Sequence, residues 1–429
     1  MVVMYQDQDT IFAVASGAGR AAVTLLRISG TQAGAVVDGL CGRPAARVAS
    51  LRKLRAADGA TLDHALVLWL PGPGSYTGED SAELHLHGGR AVLSAVSDAL
   101  VRLGARPAEA GEFTRRAFLN GRMDLVEAEA VADLIAAETS TQRAQALRQM
   151  EGELGDVLHG WAGQLTRLLA QQEALIDFPD EDLPPEVEAS MLSEISGLLV
   201  EISAMLNDGR RGERLRDGLV FAIIGPPNAG KSTLVNSLAA REVAIVSETP
   251  GTTRDVLEVR LDLGGVPVTL LDTAGLREAR DPIEAEGIRR ARARMAEADL
   301  VVLVADDGYF DPIDVAEIIH VHTKADLGGG GGLAVSAATG AGMDGLRDAL
   351  AAAAHRLTQR EGPPPLTRAR HRAALSQAAE RLEAALDAAL PELRGEDLRM
   401  ALRAIGRITG IVGVEDILDQ VFRQFCIGK

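Results

Sequence analysis

The stretch Gly225-Pro226-Pro227-Asn228-Ala229-Gly230-Lys231-Ser232 constrains this chain more than any other. An apolar run, Leu219 to Ile224, precedes it and reads as a buried strand; a helical pattern, Thr233 to Ala240, follows. Strand, GxxxxGK[ST] and helix together form a P-loop. Gly225 and Gly230 let the backbone bend and turn its N–H groups toward phosphates. The helix N-terminus adds partial positive charge. Lys231 is placed for the outer phosphates, and the Ser232 hydroxyl for Mg²⁺. Asn228, Ala229 and Thr233 complete the nucleotide-binding set. A plain Gly/Pro turn would need none of this context.

The residues that follow meet the further needs of such a site. Leu270-Leu271-Asp272-Thr273-Ala274-Gly275 is an apolar strand ending in D-x-x-G, which sets a carboxylate beside Mg²⁺ and a glycine N–H near the γ-phosphate. Thr252 and Thr253 lie between and offer a second hydroxyl to the metal. Val301–Ala305 is another buried strand. In Thr323-Lys324-Ala325-Asp326 the Asp326 carboxylate can accept two hydrogen bonds from a guanine edge, which adenine cannot supply. Ser336 and Ala337, after Leu333–Val335, complete a base pocket. Together and in this order the motifs point to a GTPase.

Two departures stand out. Thr323 occupies the place where the guanine motif usually carries Asn, so one hydrogen bond is weakened or rerouted. Leu276 follows Gly275, where Ras-like enzymes carry a water-orienting Gln. Glu278, Asp281, Glu284 and Glu286 follow closely, and any of them is a candidate for that work; a solvated acidic loop is the other reading. Charge stabilisation also calls for a cation beyond Lys231 and Mg²⁺.

At 429 residues, a prior of about 150 per domain suggests about three domains. Aromatics are 3% of the chain, so its cores must lean on Ala, Leu, Val and Ile. A formal charge of −17 excludes a general polyanion binder and leaves nucleic-acid contact to local basic patches or a partner. Cys41 and Cys426 are the two cysteines, far apart, which suits a reducing, cytoplasmic setting. No run reaches about 18 apolar residues, so no membrane span is expected.

Residues 1–120 read as an α/β unit, with strands at Thr10–Ser16, Ala21–Ser29, Leu66–Leu70 and Ala82–His87 and a helix at Arg90–Leu103. Gly17 to Ala22 matches the dinucleotide fingerprint in form, but Val23-Thr24-Leu25-Leu26 continues as a strand where that motif needs a helix. A loop between hairpin strands fits better. His85, His87 and Glu83 share one strand face, and a solvated or pocket-lining face fits them better than metal, since no further ligand converges.

From Met123 to Ile176, and again over Val187–Asn207, Ala, Leu, Glu and Gln dominate with helical spacing; Phe178–Pro185 is an acidic, Pro-rich turn between. The nucleotide region spans 217–357, with Gly328–Gly332 as a flexible loop. Glu361-Gly362-Pro363-Pro364-Pro365 is a stiff linker, and helical pattern returns over Leu366–Phe425. The economical architecture is α/β plus all-α: residues 1–120, a split helical domain of 121–216 and 358–429, and an inserted P-loop domain. Arg289–Arg294 and Arg368–Arg372 are candidate nucleic-acid contacts, with a solvated helix face the better reading of each.

The chain resembles the tRNA-modification GTPase family MnmE, also called TrmE, along essentially its whole length. The residues that carry the resemblance are Leu26-Arg27-Ile28-Ser29-Gly30, Tyr76-Thr77-Gly78-Glu79-Asp80, His87-Gly88-Gly89, Gly111-Glu112-Phe113-Thr114, Arg116-Ala117-Phe118-Leu119-Asn120-Gly121 and Cys426-Ile427-Gly428-Lys429. The resemblance implies an N-terminal tetrahydrofolate-binding and dimerisation domain and a Ras-like P-loop G domain. It implies that Asn228, Ser247, Thr249 and Thr252 hold K⁺ within Ser247-Glu248-Thr249-Pro250-Gly251-Thr252-Thr253, and it selects Glu284 for water orientation. Pro226 stands where many relatives have Arg. With an FAD-dependent MnmG-type partner, in a heterotetramer, a homodimer of this kind adds an aminomethyl or carboxymethylaminomethyl group at C5 of wobble uridine in tRNA. The one-carbon unit comes from 5-formyltetrahydrofolate or a related reduced folate. Arg27, Glu83, Arg122 and Lys429 are implied folate contacts. Cys426 is either a reactive thiol near the folate or a positional residue; Gly428 and Lys429 suit a prenylation box poorly. The alternative reading, a regulatory GTP switch in ribosome assembly, needs neither the N-terminal motifs nor the tail.

Overall fold

The computed structural model describes residues 9–17, 19–177, 185–226, 228–241, 258–272, 298–305, 317–328, 333–358, 363–412, and 418, 421, 422, 425 and 428. They fall into two compact units: residues up to 132 together with those from 406 onward, and residues 133–405.

The first unit is built on a mixed sheet. Its strands are β1 (Thr10–Val14), β2 (Val23–Ser29), β3 (Ser50–Arg55), β4 (Thr61–Leu70), β5 (Ser81–His87) and β6 (Ala105–Pro107), in the order β3-β4-β5-β2-β1-β6 among the described residues. β1 and β2 are antiparallel, with Ala13 opposite Arg27. The glycines at 17–22 therefore lie in a hairpin connection. Helices α1 (Ala33–Cys41) and α2 (Arg90–Arg102) accompany the sheet. Their buried Val36, Val37, Leu40, Val96 and Leu100 join Leu26, Ile28, Leu84 and Leu86 in one core. α3 (Glu112–Leu119) and the start of α4 (Leu125–Ala136) complete this unit with the returning C-terminal segment.

The sequence reading gave no range for α1, β3, β6 or α3 and read only the second half of β4. α1 lacks an N-cap side chain bond, so its start carries no local signal. β3 alternates polar residues along an edge strand, and β4 begins five residues before the expected Leu66 because Asp63 occupies an inward position. The turn joining these two strands carries Asp58-Gly59, with Gly59 at φ +83°, a hairpin signal.

The second unit holds helices and a nucleotide-type sheet. The stretch of helical spacing from Met123 to Ile176 forms several helices. α5 (Ser140–Met150) begins at Thr139, whose side chain and Gln142 form a capping box, and α6 (Glu153–Asp177) follows Gly152 at φ +93°. Then come α7 (Pro185–Leu206) and α8 (Arg211–Asp217). The sheet comprises β7 (Leu219–Ile224), β8 (Glu258–Leu263), β9 (Val266–Asp272), β10 (Leu300–Ala305), β11 (Ile318–His322) and β12 (Leu333–Ala334). Its order is β12-β11-β10-β7-β9-β8, parallel except for β8. α9 (Lys231–Arg241) and α10 (Met343–Thr358) cover it, and α11 (Ala369–Asp387) and α12 (Pro391–Thr409) carry the chain back to the helical part. Pro391 opens α12 at the first helical position, where its missing N–H costs nothing.

One helical stretch, 186–217, is long and apolar enough to cross a membrane by length and composition, with a mean hydropathy of 1.4 over its best window. The sequence reading expected none. Met191, Ile195, Leu198, Ile202 and Met205, three or four residues apart, are each at most 1% exposed. This stripe packs within the unit, α7 lying against α11.

The Arg368–Arg372 stretch corrects the solvated-face reading. Arg368 pairs with Asp133 at 2.7 Å, and Arg372 pairs with Asp208 at 2.7 Å and Glu213 at 3.0 Å. The same Asp133 also lies 3.5 Å from Arg216, and the Arg216 guanidinium donates to the Thr367 carbonyl. These charges bind together the two crossings between helices and sheet.

Candidate functional site: a phosphate loop at the carboxyl edge of a parallel sheet

β7, β9, β10, β11 and β12 run parallel, so their C-terminal ends share one edge, where ligands of open α/β sheets bind. That edge gathers the P-loop after β7, Asp272 at the end of β9, Thr323 to Asp326 after β11, and Ser336 and Ala337 after β12.

Four of the six β7 residues are apolar side chains at most 1% exposed, Leu219, Phe221, Ala222 and Ile223, and the strand is held between β9 and β10. At its end Gly225 passes the β10 backbone so closely that a Cβ would lie 2.1 Å from the Val304 oxygen. Asn228 and Gly230 take positive φ, +64° and +87°, which turns successive peptides within the loop. α9 starts at Lys231, two residues earlier than the sequence pattern suggests, so Ser232 and Thr233 lie in its first turn. Lys231 is 6% exposed, and its ammonium donates to the carbonyls of Gly225 at 2.9 Å and Pro226 at 2.8 Å.

The Ser232 hydroxyl donates to Asp272 Oδ2 at 2.5 Å. Register opposes Asp272 to Ile223, so the ladder itself delivers the carboxylate to the loop. Asp272 is 2% exposed. A hydroxyl and a carboxylate oxygen converging at a helix N-terminus suit a hard divalent cation.

Lys324 has φ +56°, and Asp326 lies exposed in a 3-10 turn, Ala325–Leu327. The Ala325 N–H donates to the Val335 carbonyl, which ties this turn to the segment carrying buried Ser336. Ala337 is half-buried beside it. Thr323 is buried, with its hydroxyl on the Ala229 carbonyl.

Ser247, Glu248, Thr249, Pro250, Gly251, Thr252, Thr253, Thr273, Ala274, Gly275, Leu276, Glu278, Asp281, Glu284, Glu286, Arg289–Arg294, Cys426 and Lys429 lie outside the described residues.

In the first unit Arg27 and Glu83 are register partners on β2 and β5, joined by bonds of 3.0 and 3.2 Å to one carboxylate oxygen. The Arg27 guanidinium sits 5.4 Å from the Tyr76 ring centre and 5.8 Å from that of Phe113. Arg122 is exposed, and its stem runs against Gly78. The stretches 76–80 and 111–122 thus meet: Tyr76 OH contacts Thr114 Oγ1 at 2.9 Å, and the Asn120 amide donates to the Thr77 carbonyl at 2.7 Å. Burial pushes the Tyr76 phenol up.

Beneath lies a buried polar frame. Ser29 contacts Thr77 Oγ1 at 2.7 Å and donates to Glu79; Arg116 bonds Glu79, Glu112 and the Asp9 carbonyl. Burial pushes the Glu112 carboxyl up, but bonds from Arg106, the Glu109 N–H and Arg116 overcome it and hold Glu112 below the usual range. The C-terminal segment returns to this frame. The Phe422 and Phe425 rings meet at a tilt of 44° with centres 5.5 Å apart, Gly111 meets the Phe422 carbonyl, and Gly428 lies against the Val14 carbonyl. On β5, Glu83, His85 and His87 alternate with buried Ala82, Leu84 and Leu86, so they share the strand face the sequence suggested, and His87 is braced there. Its Nδ1 lies 2.7 Å from the buried Asp63 carboxylate, and its N–H donates to the same group. Sequence reasoning missed Asp63, Tyr76 and Phe113 as neighbours of these strands; Tyr76 and Phe113 stood in motifs it singled out, whereas Asp63 broke the apolar alternation and gave no signal of its place.

A P-loop after the central strand of a parallel sheet, with a strand-end carboxylate on its serine, defines a P-loop nucleotide-binding protein. Two family models cover nearly the whole chain: the GTP-binding protein TrmE N-terminus over residues 10–122 and the MnmE helical domain over 125–426. The chain is 58% identical over 436 residues to the tRNA modification GTPase MnmE of Gluconacetobacter diazotrophicus, covering 99% of this chain and 100% of that one. Against the protein of the same name from Granulibacter bethesdensis identity is 56% over 439 residues, covering 99% and 100%. Against that of Rhodospirillum rubrum it is 54% over 452 residues, covering 98% and 99%. The chain belongs to the MnmE family of tRNA modification GTPases.

Proposed function

We propose that this GTPase, with an FAD-dependent MnmG-type partner, modifies C5 of the wobble uridine of tRNA, adding an aminomethyl or carboxymethylaminomethyl group. A reduced folate such as 5-formyltetrahydrofolate supplies the one-carbon unit. The observation that carries the nucleotide half of this reading is the 2.5 Å contact between Ser232 Oγ and Asp272 Oδ2 beside the loop lysine.

Ser232, Asp272 and Thr253 are the residues for Mg²⁺, which when bound neutralises charge on the phosphates. Asn228, Ser247, Thr249 and Thr252 are those for K⁺. The positive φ of Asn228 holds it on the loop, in keeping with such a role. Lys231, with the loop N–H groups, binds the phosphates; Asp326 reads the guanine edge, with Ser336 and Ala337 walling the base. Glu284 orients the attacking water, a task that Leu276 cannot perform.

Arg27, Glu83, Arg122 and Lys429 form the folate site of a dimerising N-terminal domain. Support comes from the half-buried Arg27–Glu83 pair, whose guanidinium lies against the partly exposed Tyr76 ring and the buried Phe113 ring, and which offers a charged edge to a polar heterocycle. Gly428 against Val14 brings the tail to the first β-hairpin of the same unit, in keeping with a place for Lys429 and Cys426 near that site. The setting is cytoplasmic, and the domain division is 1–120, 121–216 with 358–429, and 217–357.

The test is reconstitution of full-length chain, MnmG-type partner, tRNA, reduced folate and GTP, with wobble nucleosides read by mass spectrometry. Modification should appear with K⁺ and fail with Na⁺, and Glu284→Ala should slow GTP turnover without weakening GTP binding. Equal modification in both salts would remove K⁺ from the mechanism; none in either would return the chain to a switch.

A further inference from the structure

Thr323 opens the segment that ends in the exposed Asp326, yet it faces the other way. It is 5% exposed, and its hydroxyl lies 2.5 Å from the Ala229 carbonyl and 3.3 Å from that of Ala305. A hydroxyl has one proton to give, and the shorter contact takes it. The Thr323 N–H donates to Ala305 at 2.8 Å, so backbone and side chain are both held. We propose that Thr323 is a positioning residue of the phosphate loop and reads no part of the base.

The grip falls on the peptide that joins Ala229 to Gly230. In a trans peptide the C=O and N–H point in opposite directions. Tying the Ala229 oxygen toward the end of β11 therefore aims the Gly230 N–H away from it. Gly230 has no side chain to hold its φ of +87°, and the three atoms nearest its Cβ position all belong to Thr323, at 3.8 to 4.0 Å. Lys231 and Ser232 follow directly, so an error in this peptide propagates into both. Base selection is left to Asp326, whereas Thr323 acts on phosphate binding whatever the base. This deepens the assignment of the sheet edge as the GTP site and rests on it.

The experiment is calorimetric titration of the full-length protein with GDP and with IDP, which lacks the exocyclic amine of guanine. Thr323→Val keeps the shape and removes the hydroxyl; it should weaken GDP and IDP alike, roughly tenfold each, the loss expected for one buried hydrogen bond. Thr323→Ser keeps the hydroxyl and should restore both. Thr323→Ala repeats the comparison if the valine variant does not fold. A loss confined to GDP would make Thr323 a base reader and overturn the proposal, as would a valine variant that binds like wild type or a serine variant as weak as valine. Equal wild-type affinity for GDP and IDP would instead remove Asp326 as the guanine reader and leave the role of Thr323 standing.

Discussion

The two glycines of the phosphate loop should fail for different physical reasons when given a side chain. In Gly225→Ala the new Cβ would lie 2.1 Å from the Val304 oxygen and 3.0 Å from its carbon, where ordinary contact begins at 3.4 Å. Val304 cannot withdraw, because β10 is fully buried and hydrogen-bonded to β7 and β11. Only backbone can move, so the cost should reach the upper end of overpacking, about 3 kcal/mol. In Gly230→Ala nothing lies nearer than 3.8 Å, but φ is +87°. The cost there is backbone strain, about 1–2 kcal/mol. Asparagine separates the two, since it tolerates positive φ but is larger than alanine. Gly230→Asn should recover part of what Gly230→Ala loses, whereas Gly225→Asn should be worse than Gly225→Ala. Urea unfolding followed by circular dichroism, with calorimetric GDP affinity, reads both effects. Wild-type stability and affinity in Gly225→Ala, or rescue of both positions by Asn, would refute this reasoning.

Glu112 supplies a pH test. Its folded pKa is depressed, so its stabilisation is fully present above the unfolded glutamate value of about 4.3 and is lost as pH falls through the lower folded value. Glu112→Gln should cost about 1.5–3 kcal/mol at neutral pH and flatten the loss of stability on acidification, as read by urea midpoints across that range. An unchanged acid limb would show that the Arg106 and Arg116 bonds do not set it. For the folate site, Arg27→Ala should weaken binding of a reduced folate in calorimetry by about 1.5–3 kcal/mol while GDP affinity stays the same; undiminished folate binding would exclude Arg27 from the site.

Local chemistry was legible where one short stretch carried it. The phosphate loop, the β7 strand and the D-x-x-G strand could be read because glycine conformation and apolar runs act within a few residues. The hairpin of β3 and β4 was not read, although Asp58-Gly59 marked it, because the polar β3 and the inward Asp63 broke the apolar alternation. The helix breaks at Thr139 and Gly152 were written locally in a capping box and a C-terminal glycine, yet continuous Ala/Leu content hid them. Arg368 and Arg372 resemble a solvated helix face in sequence. Their partners Asp133, Asp208 and Glu213 are about 160 to 235 residues distant, so no local pattern could reveal the pairs.

The sequence alone determined the family, the order of nucleotide motifs and the identity of the groups available for phosphate, metal and base. Those properties reside in residue type and short spacing. Tertiary structure alone decided which groups meet. Parallel strand order carries Asp272 to Ser232 and Thr323 to Ala229, and core packing in the first unit carries the C-terminal segment back to Gly111 and Val14. The physical reason is that a sheet ladder and a packed core bring together residues far apart in the chain, and it is burial at that meeting point that turned Thr323 from an expected base contact into a strap on the phosphate loop.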